Sequence, residues 1–208
     1  MEEKLTSRQL QALETKKKIF ERALELFKAS DFEDVSTTDI CKSLNIAVGN
    51  FYKYYSSKEY LLMEAYPTFD HNIITDLSVN KFDTHLDAIK FLIFEQTNGA
   101  ETIGAKLYAQ MLRIQIKTEG KNVIEESRTF HTYLKTLIQK ALDEGEIATE
   151  YYSANELSSL ILRISRGTLL DWAMQNGAYS VSERVLHDVD LLFKQMKAND
   201  HCALFANS

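Results

Sequence analysis

Apolar residues recur at three- and four-residue steps through most of this chain, and that period makes helices rather than strands. The first stripe, Ile19, Phe20, Ala23, Leu24 and Phe27, predicts a helix from Ser7 to about Ala29, ended by Ser30-Asp31-Phe32. Ser36 then stands where a helix N-cap belongs, and Asp39 can answer it as the acid of a capping box. The helix they open is short, about 37–44, with Ile40 and Leu44 on one face. Asn45 follows, a residue that tolerates the left-handed backbone of a tight helix-to-helix turn. A second short helix, about 48–54, buries Val48, Phe51 and Tyr55, and Ser56 or Ser57 caps a further helix from Lys58.

Beyond this point the pattern predicts helices near 58–78, 84–97, 101–118, 123–144, 154–176 and 181–198. Pro67 falls inside the first of these and should kink or restart it. Asn98-Gly99, Glu119-Gly120, Gly145 and Asn176-Gly177 read as stop signals. The first few residues and the tail after about Asn199 read as disordered. One proline and seven glycines in 208 residues leave few breakers, which again favours long helices over many short strands. The expected fold is all-α, with a three-helix domain over 1–60 and a larger helical domain over 61–208.

Charge divides the chain in the same place. Residues 1–60 carry ten Lys/Arg and ten Asp/Glu, whereas 61–208 carry fourteen and twenty. The whole acidic excess therefore lies in the second part and does not argue against a polyanionic partner for the first. Cys41 and Cys202 lie outside any CxxC pattern and read as reduced thiols. The charged start lacks a signal-peptide core, and no apolar run approaches the roughly 18 residues of a membrane span, so a cytoplasmic location without membrane contact is expected. Histidines 71, 85, 131, 187 and 201 lack metal-ligand spacing. Neither a Gly-rich phosphate loop nor a nucleophile elbow nor an acid/base pair stands out, so no metal, cofactor or catalytic residue is expected.

Residues 36–55 form a helix-turn-helix by spacing, a device whose second helix enters the DNA major groove. Two short helices with a turn are common in any helical protein, so the residue types matter more. They run Lys18-Ile19-Phe20-Glu21-Arg22-Ala23-Leu24-Glu25-Leu26-Phe27, then Phe32 and Val35-Ser36-Thr37-Thr38-Asp39-Ile40, then Val48 to Leu62, with GNFYKYYSSKEYLL the densest part. Over about 45 residues this resembles the N-terminal domain of the tetracycline-repressor (TetR) family.

The resemblance implies double-stranded operator DNA as partner and contacts from Thr37, Thr38, Val48, Gly49, Asn50, Tyr52, Lys53, Tyr54 and Lys58. The chemistry agrees. Gly49 lets the helix approach the DNA backbone, and Asn50 can bond a base edge or a phosphate. The Tyr52 phenol can donate to a phosphate, Lys53 and Tyr54 lie on the exposed arc, and Lys58 at a helix start can hold a phosphate. Three positions depart from the family pattern. Asp31 stands where Gly is usual, Asn45 replaces the common turn Gly, and Ala47 replaces a Ser cap. The last change costs about 1 kcal/mol of capping and removes a hydroxyl that could touch phosphate.

For the second domain the resemblance implies dimerisation and a small-molecule effector. The segment Arg166-Gly167-Thr168-Leu169-Leu170-Asp171-Trp172 followed by Asn176-Gly177 is similar to the end of such domains, where the last two helices pair with those of a second subunit. Leu157, Leu160, Ile161, Ile164, Val185, Val189, Leu192 and Met196 are the expected interface, although such stripes also serve as internal core. Tyr108, Met111, Phe130, His131, Tyr133 and Trp172 are the expected effector pocket, with the same reservation. The overall expectation is a ligand-responsive repressor that binds a palindromic operator as a homodimer. The alternatives are a protein of the same fold without a small-molecule effector and, with no catalytic constellation to support it, a helical enzyme.

Overall fold

The computed structural model describes residues 6–118, 121–149 and 151–198. Every regular element among them is a helix. The chain forms two compact units that divide at Tyr66–Pro67.

The first unit contains α1 (Ser7–Ala29), α2 (Thr37–Ser43), α3 (Val48–Tyr52) and α4 (Lys58–Met63), and ends within the first turn of α5 (Ala65–Val79). Its core is Ile19, Phe20, Ala23 and Phe27 of the expected α1 stripe, whose Leu24 is only half-buried, joined by Phe32, Val35, Ile40, Cys41, Phe51, Tyr55, Leu61 and Leu62. Ser36 and Asp39 form the capping box of α2, and Asn45 takes the left-handed conformation with φ 53°. Ser57, rather than Ser56, caps α4. The start of α1 carries a second capping box, in which Thr6 and Gln9 bond each other's backbone N–H. Tyr55 ties the short helices to α1 by donating its hydroxyl to the Lys16 carbonyl at 3.1 Å.

Pro67 sits in the first turn of α5, where a missing N–H is no loss. The chain accordingly restarts after Glu64 instead of kinking a single helix. The second unit continues with α6 (His85–Ile103), α7 (Ala105–Lys117), α8 (Lys121–Ile124), α9 (Thr129–Asp143), α10 (Ala154–Met174) and α11 (Val181–Ala198). Helices α6 and α10 form its centre, and α7, α9 and α11 pack around them.

Two expectations fail here for local reasons. Asn98-Gly99 does not stop a helix. Thr97, Ala100 and Ile103 extend the buried stripe of α6 to Gly104, whose φ of 92° only glycine adopts easily and which separates α6 from α7. The predicted helix 123–144 is two pieces. The break is held by Arg128, which makes a bidentate pair with Asp70 at 2.7 and 2.6 Å, and by His131, whose Nδ1–H donates to the Glu125 carbonyl at 2.8 Å. Gly145, Asn176 and Gly177 end their helices with positive φ as expected. Glu119-Gly120 and the two termini lie outside the described residues.

Candidate nucleic-acid interface

Helix α3 is only five residues long, and it is set by one side chain. Phe51 is fully buried and packs its ring against Tyr52 and Tyr55 at 5.4 and 5.7 Å. With residue 51 inward, helical rotation turns its neighbours around the outer arc. Gly49, Tyr52 and Lys53 are exposed, and Asn50 and Tyr54 are half-buried. Thr38 is exposed on α2, and the Thr37 hydroxyl lies 3.4 Å from that of Tyr52. The Lys53 ammonium donates to Asn50 Oδ1 at 3.0 Å, which leaves the Asn50 amide NH2 pointing to other partners. Val48, expected inside from its spacing, is 37% exposed at the start of the helix. The start of α3 has no side-chain cap, because Ala47 offers no oxygen. A Cβ added at Gly49 would meet nothing within 4 Å, so no packing inside the chain calls for glycine there.

Lys58 differs from the expectation of an exposed cation. It is half-buried, and its ammonium donates to the carbonyls of Phe32, Val35 and Glu33 at 2.6, 3.1 and 3.4 Å. It also lies 4.3 Å from the centre of the Phe32 ring. All three N–H donors of the ammonium are thus directed into the α1–α2 loop, whose carbonyls have no helix to bond. The Cys41 thiol is buried nearby in the core, which raises its pKa.

In the second unit the six expected pocket residues do not enclose one cavity. Met111 and Phe130 are packed in the core, and Tyr108 and Trp172 meet edge to face at 6.1 Å. Trp172 also donates its indole N–H to the Tyr179 carbonyl at 2.9 Å. Tyr133 is exposed, at the edge of the buried stripe that Phe130 and Leu134 form on α9. Of the six, His131 borders a groove of about 710 Å³ between α9 and α10. Burial and the neighbouring Arg128 guanidinium push the His131 pKa down. The polar arcs that form this groove were in the sequence, at helical spacing on each helix. That these two arcs face each other was not.

The expected interface residues also divide. Leu157, Ile161, Val185 and Val189 are internal core, while Leu160, Ile164, Leu192 and Met196 remain half-buried. The arc of α10 turned from the core carries Leu160, Ile164 and Gly167, then Leu170 at 45% and Met174 at 68% exposure. Leu191, at 47%, is exposed on α11.

The folding also assembles a cluster that histidine spacing did not suggest. His85, Glu144 and Glu146 bring one ligand atom each within 4.8 Å of one another. These groups satisfy each other or the backbone. Glu146 accepts the N–H groups of His85 and Leu86 at 2.9 and 2.8 Å, and Glu144 accepts from the His85 ring at 3.1 Å.

An all-helical first unit with a helix-turn-helix, followed by a larger helical unit, is an architecture that DNA-binding transcription regulators use. Residues 19–65 match the family model for "Bacterial regulatory proteins, tetR family". The biofilm operon icaADBC negative transcriptional regulator IcaR of Staphylococcus aureus is 27% identical over 134 residues, which cover 64% of this chain and 72% of IcaR. The fold is similar to that of Thermus thermophilus FadR, a TetR-family repressor solved with lauroyl-CoA, with TM-score 0.62 and 19% identity over 87% of this chain and 94% of that one. It is similar also to Salmonella enterica GusR, with TM-score 0.63 and 19% identity over 92% of this chain and all (100%) of that one. Residues 19–65 thus carry the N-terminal domain of the tetR family of bacterial regulatory proteins. No helix among the described residues is long and apolar enough to cross a membrane.

Proposed function

We propose that this protein is a ligand-responsive repressor that works in the cytoplasm and binds a palindromic operator as a homodimer. The observation that carries the reading is the outer arc of α3, where Gly49, Asn50, Tyr52 and Lys53 surround a fully buried Phe51. A side chain fixed inward holds the others in register for a groove. Open space around Gly49 is what a close approach to a phosphate backbone requires. Thr37, Thr38, Val48 and Tyr54 complete the contact face, and Lys58 supports it from behind through the α1–α2 loop. IcaR is a negative regulator, which favours repression here.

A two-fold partner is required to read two half-sites. The outward apolar arc of α10 is the surface that suits it, with Leu160, Ile164, Leu170 and Met174 flanking Gly167. A mid-helix glycine is destabilising by about 1 kcal/mol relative to Ala, and no neighbour within the chain fills the space over Gly167. Close approach of a second helix accounts for it. The effector then binds the second unit and shifts the population toward a state whose recognition helices no longer fit the operator. The FadR neighbour was solved with an acyl-CoA, so a small-molecule effector is the leading reading. The close packing of Met111, Phe130, Tyr108 and Trp172 favours a second one, a regulator of this fold with no enclosed effector pocket.

Titration of a labelled duplex from upstream of the protein's own gene tests the reading. Asn50→Ala should weaken specific binding by about 1–3 kcal/mol per half-site and relax discrimination at particular bases. Lys53→Ala should weaken all duplexes alike and reduce the salt slope by about one unit per half-site. Unchanged binding in both variants would remove α3 as the reading element.

A further inference from the structure

The groove between α9 and α10 is cationic in a part of the chain that is otherwise acidic. Residues 61–208 carry fourteen Lys/Arg against twenty Asp/Glu. Yet the groove is lined by Lys135 and Lys140 from α9 and by Arg163 and Arg166 from α10, with Glu126 its single carboxylate. Among the described residues none of these four cations makes an ion pair. The nearby Asp70 is engaged elsewhere, in its bidentate pair with Arg128.

Like charges gathered without counterions repel, and an uncompensated cluster of this kind is costly unless something neutralises it. Arg166 feels this most. It is half-buried, and burial together with the Arg163 and Arg128 guanidiniums lowers its pKa. Its head group is nonetheless held in place, with Nε donating to the Leu162 carbonyl at 2.9 Å. A fixed guanidinium across from two flexible ammonium groups can bind anionic oxygens from both walls at once. Ser158, Ser159 and Thr136 add hydroxyls, and Leu162 and Ile124 provide an apolar seat. At about 710 Å³ the groove, half open to solvent, has the size of small-molecule sites, which span roughly 300–1,000 Å³.

We infer that the α9–α10 groove binds a small polyanion bearing phosphate groups, held by Lys135, Lys140, Arg163 and Arg166. This deepens the effector reading above, because it assigns a chemical class and a location to the ligand of the second unit. The site lies beside the expected aromatic pocket residues and shares only His131 with them.

The test is calorimetric titration of the full-length protein, without DNA, with sodium tripolyphosphate at low ionic strength. Saturable binding of one tripolyphosphate per chain is expected. The double variant Lys135→Gln/Arg163→Gln should bind at least about tenfold more weakly, because two charge-assisted contacts are lost. Both residues are exposed, and a melting curve checks that the variant is folded. A control, Lys81→Gln/Lys117→Gln, removes the same charge from exposed sites outside the groove and should bind as the wild type does. Absence of saturable binding, equal weakening in both double variants, or tighter binding of citrate than of tripolyphosphate would each overturn the proposal. So would a groove variant that loses duplex affinity as much as tripolyphosphate affinity, because the groove would then serve nucleic acid. The binding is measured without operator. A negative result therefore counts against the groove alone, while failure of a bound polyanion to release operator counts against the effector reading.

Discussion

At the scale of single residues, Lys58 shows how a motif position can be right while its task is different. Sequence places a cation at the start of α4, where a phosphate contact is the natural reading, but its ammonium bonds the carbonyls of Phe32, Val35 and Glu33. Lys58→Met keeps most of the stem and removes those bonds. It should lower the stability of the first unit by about 2 kcal/mol, the scale of a charged hydrogen bond lost with its carbonyls left in place. The salt slope for DNA should stay unchanged, since no phosphate contact is lost. Thermal melting and duplex titration at several salt concentrations separate these outcomes, and a lower slope with unchanged melting would restore the phosphate role. His131 gives a pH signature. Its pKa is held below the ordinary value of 6.5, by burial first and by Arg128 next, so the unfolded chain takes up the proton before the folded one. Its contribution is therefore fully present above about pH 6.5 and is lost as pH falls from there toward the depressed folded value. Denaturant melts across that window should show His131→Gln losing less stability on acidification than the wild type. A variant that follows the wild-type curve would show that His131 does not titrate between the two states. Neither behaviour was legible beforehand: the Lys58 ammonium bonds carbonyls 23 to 26 positions away, and the His131 shift comes first from a burial that only packing sets.

At the scale of helices, the legible parts were those governed by local chemistry. Ser36 and Asp39 announced α2, Asn45 announced its turn, and Gly145 and Asn176-Gly177 ended their helices with positive φ. The misread parts were settled by packing. Asn98-Gly99 has the composition of a turn, but the buried Thr97, Ala100 and Ile103 carry α6 through it to Gly104. The split between α8 and α9 follows from Arg128 reaching Asp70, 58 positions away. The periodic stripes of α10 and α11 were visible, yet periodicity alone could not separate internal core from a surface for a partner. Leu157, Ile161, Val185 and Val189 prove to be core, and the available surface is the next arc around α10, centred on Gly167. A bulky side chain there tests this arc. Gly167→Leu has open space within its own chain, so the monomer should fold, and helix propensity should if anything favour it. Sedimentation should show the wild type at twice the chain mass and Gly167→Leu shifted to the monomer. A variant that dimerises as well as the wild type would move the interface away from this arc.

At the scale of the whole molecule, the proposed repressor joins a DNA-reading unit to one that would pair two copies and take up a ligand. The net charge of the chain, −6, hides this division, because the first 60 residues are neutral and present Lys53 and Tyr52 outward while the acidic excess lies beyond them. A two-fold dimer carrying one α3 per chain should read two inverted half-sites about one helical turn, roughly 34 Å, or a small multiple of it apart. Release by ligand needs only a difference in ligand affinity between operator-competent and incompetent states, and that difference sets the size of the response. The most direct measurement is selection of bound fragments from a random duplex pool by the purified protein. The account predicts enrichment of one inverted-repeat sequence, with the preference blurred at specific positions in Asn50→Ala. A pool that stays random, or an enriched site that Asn50→Ala and Tyr52→Phe leave untouched, would contradict it.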